Sequence, residues 1–437
     1  MDQCTDEQRE AIDAALVGQS IFLTGPGGTG KSFLLKVLYD EFNKTGKKMA
    51  VTAMTGCAAL LLGPHAKTLH SWAGIGLGRD SADTVILAIS KNGKKKKNWR
   101  DSDCLVIDEV SMLTPDILQL LDTVGRSVRK NRDILFGGLQ IIFVGDFYQL
   151  PPVGDIAKFA FQSDIWKQTV KKTICLKKIH RQRDPVFQKI LLEAREGELT
   201  DESCEILMTR KGLKLKSLQI RPTLLFTRNA DVNAINTKEL MKLESEERIY
   251  KVSTASEREH AEYCGKKDFE KLQNDKPEDT DYRIQKLDKD ASYVTELHLK
   301  IGAQVMYLKN NSNDDFALVN GSRGVVTALR EDGVMVQFIK GLYFVKHHIW
   351  QSDDYVFRRQ IPLRLAYALT IHKAQGASLD SAMVDIGPAT FEYGQAYVAL
   401  SRVRSLEALY VYDLDKRAFK VHPAVKEFYR EVLHSDG

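Results

Sequence analysis

The sequence predicts an α/β protein with two parallel-sheet domains, on three observations. Apolar strand patterns alternate with helical ones along most of the chain. The alternation falls into two blocks, the first of which ends at Pro151-Pro152. At 437 residues the chain is too long for one ordinary core. Hydrophobic residues make up 43% and charged residues 28%, the balance of a soluble globular protein. A net charge of +5 leaves room for a nucleic-acid partner where the charge is concentrated. The six cysteines, Cys4, Cys57, Cys104, Cys175, Cys204 and Cys264, are far apart with no C-x-x-C pair, which speaks against a zinc site or a disulfide framework. No apolar run reaches membrane-spanning length, and the first residues lack the basic and apolar regions of a signal peptide. An intracellular protein with no membrane partner is therefore expected.

In the first block, Ile21–Leu23, Met49–Ala53, Leu105–Ile107 and Ile141–Val144 are continuous apolar runs. Such runs, with helices between, are the pattern of a parallel sheet covered on both faces. The second block offers Thr173–Leu176, Thr223–Phe226, Ala382–Ile386 and Leu409–Tyr412. The expected domains are residues 1–170 and 171–437, with a nucleotide-clamping cleft between them. Three segments interrupt the alternation. Residues 75–101 carry Lys94-Lys95-Lys96-Lys97 and read as a small basic hairpin or loop inserted in the first domain. Residues 244–292 are dense in Glu, Lys and Asp, which predicts an exposed helix or a disordered insert. Residues 300–360 contain Gln304–Leu308, Gly324–Ala328 and Val334–Phe338, short strands punctuated by turn residues, and predict a small β-barrel in the second domain.

The chemistry starts at Gly25-Pro26-Gly27-Gly28-Thr29-Gly30-Lys31-Ser32, a G-x-x-x-x-G-K-S phosphate loop. The strand Ser20–Thr24 precedes it and a helical pattern from Ser32 follows. That unit aims backbone N–H groups and a helix N-terminus at one place, as a polyphosphate requires. Lys31 would reach the β and γ phosphates and the Ser32 hydroxyl would hold Mg²⁺. Val106-Ile107-Asp108-Glu109 is an apolar strand ending in two acids. There Asp108 can hold Mg²⁺ through water and Glu109 can polarise the attacking water. Val144-Gly145-Asp146-Phe147-Tyr148-Gln149-Leu150-Pro151-Pro152 ends another strand. Gln149 could sense the γ-phosphate, while the other residues read equally as a polar turn stopped by prolines.

Taken in order, these motifs resemble those of the petite integration frequency (PIF) family of DNA helicases, a 5′-to-3′ branch of superfamily one. Thr5-Asp6-Glu7-Gln8 resembles its adenine-reading motif, and Gly25 to Ser32 its phosphate loop. Thr55-Gly56-Cys57-Ala58-Ala59 and Thr68-Leu69-His70-Ser71-Trp72-Ala73-Gly74 resemble its first strand-contacting motifs. The run from Glu109 to Arg129 is similar to its signature segment, and Phe136-Gly137-Gly138-Leu139-Gln140 through Gln149 to its third motif. His180-Arg181-Gln182, Leu318-Val319-Asn320-Gly321, Thr370-Ile371-His372-Lys373-Ala374-Gln375-Gly376 and Gln395-Ala396-Tyr397-Val398-Ala399-Leu400-Ser401-Arg402 follow.

The resemblance implies two RecA-like domains with an SH3-like barrel in the second. It implies ATP and Mg²⁺ as cofactors, with Gln8 on the base edge. Gly25, Gly27, Gly28, Thr29, Gly30, Lys31, Ser32 and Gly376 would line the nucleotide, with Ser32 and Asp108 on the metal. Lys31, Glu109, Gln149 and two arginines, Arg181 and Arg402, would serve hydrolysis. Both arginines are expected in the second domain, so that domain closure completes the site. Thr55, His70, Thr370, His372 and Lys373 are the implied DNA contacts. Trp72 has two readings, core or stacking platform. Lys94–Lys97 also has two, a grip on duplex phosphates or a solvated loop. The implied partners are single-stranded and forked or structured DNA, including G-quadruplexes and RNA–DNA hybrids. The implied setting is replication, repair, recombination or telomere maintenance. The compartment would be nucleus or mitochondrion in a eukaryote, otherwise cytoplasm or a viral replication site. A monomeric motor is expected, with a DNA-induced dimer as the alternative. Two other functions compete: a RecD-like or transposon-associated helicase, and a clamp that uses ATP only to switch grip.

Overall fold

The computed structural model describes residues 4–434 apart from 64, 77, 79, 153–157, 214–219, 257, 258, 260–279, 291, 292, 310–317, 319 and 352–355. It divides into two compact units, Met1–Lys211 with Ile386–Gly437, and Gly212–Asp385.

The first unit is built on a six-stranded parallel sheet. Its strands are β1 (Ile21–Thr24), β2 (Met49–Ala53), β3 (Lys67–Thr68), β4 (Cys104–Asp108), β5 (Gln140–Val144) and β6 (Lys172–Cys175), in the order β3-β2-β4-β5-β1-β6. The four runs expected in the first block are all strands of this sheet. β1 is buried along its whole length and β4 at four of its five residues, because helices cover both faces. One face packs α1 (Asp6–Leu16) and α2 (Lys31–Lys44) through Ala11, Ile12, Leu34, Leu38 and Phe42. The other packs α7 (Pro115–Val128) and an aromatic cluster of Phe22, Phe143, Phe147, Trp166 and Phe428. The strand expected at Thr173–Leu176 belongs here and not in a second sheet, since Thr173 pairs in parallel with Phe22 of β1. An isolated apolar run carries no record of which edge it will extend.

Residues 75–101 correct the expected hairpin or loop. They hold two helices, α5 (Ala82–Lys91) and α6 (Gly93–Asp101). Asn92 ends the first and caps the second, its side chain accepting the Lys95 N–H at 3.0 Å. Lysine is a good helix former once a cap and an anchor are present. The anchor is Trp99, which is fully buried, gives its indole N–H to the Ala73 carbonyl at 2.9 Å and packs on Trp72 at 5.0 Å. Trp72 is therefore core in this structure. Lys95 turns inward to the Ser71 carbonyl, while Lys94 and Lys97 are exposed.

The second unit contains a parallel sheet in which β7 (Thr223–Phe226) lies between β18 (Ala368–Thr370) and β19 (Ala382–Ile386). Between β7 and β18 the chain builds an antiparallel module. Its five-stranded sheet joins β11 (Gln304–Tyr307), β12 (Arg323–Leu329), β13 (Gly333–Phe338), β14 (Gly341–Lys346) and β17 (Leu363–Leu365). Its core also takes Tyr250 of β8 (Arg248–Lys251) and Leu297 and Leu299 of β10 (Glu296–Leu299). The expected barrel strands are all present. The expectation of helix or disorder across 244–292 is corrected at its start, where β8 and β9 (Ser253–Thr254) are strands. A helix does cover Thr280–Asp290. Most of the remainder of that insert, with Cys264 and Val319, lies outside the described residues.

Candidate nucleotide site

The site forms at the carboxyl edge of the six-stranded sheet, where parallel strands leave room for a ligand. The phosphate loop leaves β1 at Thr24 and enters α2 at Lys31. Gly25, Gly28 and Gly30 hold φ of 141°, 89° and 89°, values that side chains resist. At Gly28 space also decides: a Cβ would stand 2.6 Å from the Arg181 Cβ. Lys31 folds back on its own loop, donating to the carbonyls of Gly25 at 2.6 Å and Pro26 at 2.9 Å. Burial lowers its pKa, against the pull of Asp146, Glu109 and Asp108. Thr29 also serves the loop, through its hydroxyl to the Pro26 carbonyl. Ser32 is exposed at the first turn of α2.

Gln8 has a role that the sequence reading passed over. Thr5 and Gln8 form a capping box at the start of α1, and the Gln8 amide lies 3.5 Å from the Thr29 carbonyl. The same residue therefore ties the helix terminus to the phosphate loop.

Asp108 is the last residue of β4. Burial first, and then the neighbouring Glu109, push its carboxyl up to about 7. Glu109 has φ 56° and ψ 44°, a left-handed conformation costly for a non-glycine residue. Gly145 leaves β5 against this turn, where a Cβ would meet the Val110 nitrogen at 2.9 Å.

Two arginines approach from the opposite side. The His180 and Arg181 amides both point to the Gly28 carbonyl, at 2.8 and 3.3 Å. Arg181 Nη1 donates to the Ser401 carbonyl at 3.2 Å. Arg402 follows the helix Gln395–Leu400 and donates to the Val398 carbonyl at 2.8 Å and the Ser401 hydroxyl at 2.7 Å. Burial and the nearby Arg181 lower the Arg402 pKa to about 10, while Glu109 opposes the shift. Burial lowers that of Arg181 as well. Both arginines lie in the same compact unit as Lys31; β6 extends the first sheet and delivers Arg181.

Asp146 forms a two-pronged ion pair with Arg195 of α9 (Pro185–Glu196), both contacts at 2.9 Å and both residues buried. The Arg195 guanidinium lies 4.2 Å from the Tyr148 ring centre. Tyr429 completes the cluster, its hydroxyl 2.7 Å from Thr24 Oγ1 and 3.3 Å from Asp146 Oδ1. Gln149 is buried directly beyond Tyr148, its backbone N–H donating to the Asp146 carbonyl at 2.9 Å. Arg195 and Tyr429 were not singled out in the sequence, because partners 49 and 283 residues from Asp146 leave no local signal; Tyr397 stood in the last motif without a role of its own.

The DNA candidates divide between the units. Thr55 caps α3 (Gly56–Leu62) by accepting the Ala58 N–H, and His70 lies half-buried on α4 (Leu69–Ala73). In the second unit Thr370 caps the helix Ile371–Ala374 by accepting the Lys373 N–H. That helix carries a half-buried His372 and an exposed Lys373, and Gly376 follows at φ 78°. Both threonines are committed to helix caps here. No group of three or more metal-ligating side chains occurs among the described residues, and none of their helices is long and apolar enough to cross a membrane.

A family model described as PIF1-like helicase matches residues 3–205, and one for the 2B domain of DNA helicase Pif1 matches residues 289–329. An ATP-dependent DNA helicase Pif1 from Bdellovibrio bacteriovorus is 32% identical over 98% of this chain and 92% of its own length. The chain belongs to the PIF1-like helicase family. The human ATP-dependent DNA helicase PIF1 is 37% identical over 98% of the chain, which spans 63% of that longer protein. The Pif1 helicase from Candida albicans has the same fold at TM-score 0.80 and 33% identity, over 99% of this chain and all of that one. A Bacteroides Pif1 solved with ADP-AlF3 and ssDNA is similar at TM-score 0.69 and 28% identity, over 98% and 97% of the two chains. The PIF1-like family thus spans both units, with the antiparallel module of the second unit in part the 2B domain.

Proposed function

We propose that this chain is an ATP-dependent DNA helicase that moves 5′-to-3′ along single-stranded DNA and unwinds duplex or structured DNA. The observation that carries the reading is the pair of guanidiniums, half-buried Arg181 and buried Arg402, held beside a phosphate loop and the Asp108–Glu109 turn. Two adjacent cations with little water between them repel each other, and a polyphosphate between them and Lys31 would relieve that repulsion.

The residues fit a magnesium nucleotide. Gln8 would meet the base, the amides from Gly28 to Ser32 and Lys31 the phosphates, and Ser32 with Asp108 the Mg²⁺. When bound, ATP supplies the phosphoanhydride bond whose hydrolysis releases the free energy for movement. Glu109, held in place by its strained turn, would orient and deprotonate the attacking water. Gln149 would donate to the outer phosphate. Arg181 and Arg402 would stabilise the charge that develops on the transferring group, a contribution of roughly 10³–10⁵ in rate for an arginine finger. Thr55, His70, Thr370, His372 and Lys373 would follow the strand. Support for a DNA substrate comes from the relatives' activity and from the Bacteroides Pif1 solved with ssDNA.

Duplexes with a 5′ or a 3′ single-stranded tail test the proposal. ATP-driven displacement from the 5′-tailed duplex alone is expected. Displacement only from the 3′-tailed duplex would reverse the polarity. DNA-stimulated ATP turnover with no displacement from either would leave a clamp that switches grip.

A further inference from the structure

One group at the phosphate loop has no part in the chemistry just described. Tyr397, on the helix Gln395–Leu400, is 2% exposed, and its phenolic oxygen accepts the Gly27 N–H at 2.8 Å. Gly27 lies at the end of the loop farthest from Ser32, on the side where the arginines collect. An added Cβ at Gly27 would come within 3.4 Å of the Tyr397 hydroxyl and 3.7 Å of the Ser401 Cβ.

The bonds around Tyr397 form one rigid block. Arg402 Nε donates to the carbonyl of Val398, the residue after Tyr397. The Ser401 hydroxyl donates to that same carbonyl at 3.0 Å and accepts from Arg402 Nη2. The guanidinium is thus gripped by the helix that carries Tyr397, and the Tyr397 hydroxyl joins that helix to the loop. Burial pushes the phenol up to about 12, so it keeps its proton at working pH. It accepts from Gly27 and retains one O–H to donate. A third phosphate arriving beside Gly27 would meet this donor first.

We propose that Tyr397 is a positioning residue whose hydroxyl seats Arg402 over the phosphate loop and distinguishes a triphosphate from a diphosphate. The assignment rests on the ATPase reading above. Because the hydroxyl both seats Arg402 and faces a third phosphate, its loss should lower turnover and weaken triphosphate binding while diphosphate binding stays largely intact.

The test is Tyr397→Phe, which keeps the ring and removes the hydroxyl. DNA-stimulated kcat is expected to fall about tenfold, the weight of one buried hydrogen bond. The affinity for ADP should stay within about threefold. The preference for a non-hydrolysable ATP analogue over ADP should shrink, a readout that loss of packing alone would not move selectively. If Y397F does not fold, 3-fluorotyrosine at position 397 keeps the ring and the hydroxyl but weakens the oxygen as an acceptor, and should lower kcat while the affinity for ADP stays within about threefold. Turnover within twofold of wild type in the folded variant would overturn the assignment. So would an equal loss of ATP and ADP binding. Should Lys31→Ala abolish turnover while Y397F does not alter it, only the role of Tyr397 falls. A wild-type protein without DNA-stimulated turnover would remove both readings.

Discussion

Glu109 stands in a conformation that a glycine would adopt at less strain, which makes its carboxylate the reason for its presence. Glu109→Gln keeps the shape and removes the base. It should bind Mg-ATP close to normally while turnover falls about 10²–10⁴-fold, as rapid-quench measurement can check. Loss of nucleotide binding itself would assign Glu109 to structure. Lys31 already donates to two loop carbonyls, so Lys31→Ala removes a loop brace and a phosphate ligand together. DNA-stimulated hydrolysis should disappear, with single-strand affinity retained within about threefold, because Lys31 serves phosphate and not DNA. The two arginines differ in their support. Arg402→Ala should reduce turnover roughly 10³-fold with a smaller effect on ATP affinity. The same change relieves the repulsion on Arg181, so nucleotide-free Arg402→Ala should melt no lower than its lost side-chain packing dictates.

Among the elements, the helix Pro423–His434, which carries Tyr429, and the turn at Asp146 depend on each other. Asp146→Asn leaves the Arg195 guanidinium buried without its partner and should destabilise the first unit by about 3–5 kcal/mol, read by chemical denaturation. Trp99→Ala removes the anchor of α6 and should cost about 3–5 kcal/mol, with loss of the tilted Trp72–Trp99 contact visible in near-ultraviolet circular dichroism. These cases also mark how far the sequence can be read. β1, β4 and β5 were legible because strands buried on both faces must be continuous apolar runs. The phosphate loop and Asp108–Glu109 were legible because backbone geometry and chemistry leave few residues to choose from. The helices of residues 75–101 were not, since four lysines and a glycine outweigh one buried tryptophan in any local reading. The edge chosen by β6 was not either, nor were the Arg195 and Tyr429 contacts of Asp146, because partners brought together by the completed fold leave no periodic trace.

At the scale of the molecule, the net charge of +5 is modest, so DNA affinity must come from local contacts. Single-strand binding should weaken with salt, by about 0.7 in the logarithmic slope for each phosphate neutralised. Replacing the exposed Lys94 and Lys97 by Ala should leave that slope unchanged, as a solvated helix face requires. A fall of about 0.7 for each lysine removed would instead put α6 on the DNA.

The first unit is assembled from two stretches of chain, with the whole of the second unit between them. Thr24 and Tyr429 touch across 405 residues. On the ribosome, the sheet bearing the phosphate loop emerges long before the helix whose tyrosine covers Asp146. Until that helix arrives, Phe147 and Trp166 lack the ring of Phe428, and the Asp146–Arg195 pair lacks its lid. The nascent protein therefore passes through a stage in which the aromatic face around Phe147 and Trp166 lacks its last cover. The arginine that completes the site is translated in the same late stretch, so a nascent chain cannot carry the full hydrolytic set until nearly all of it has been made.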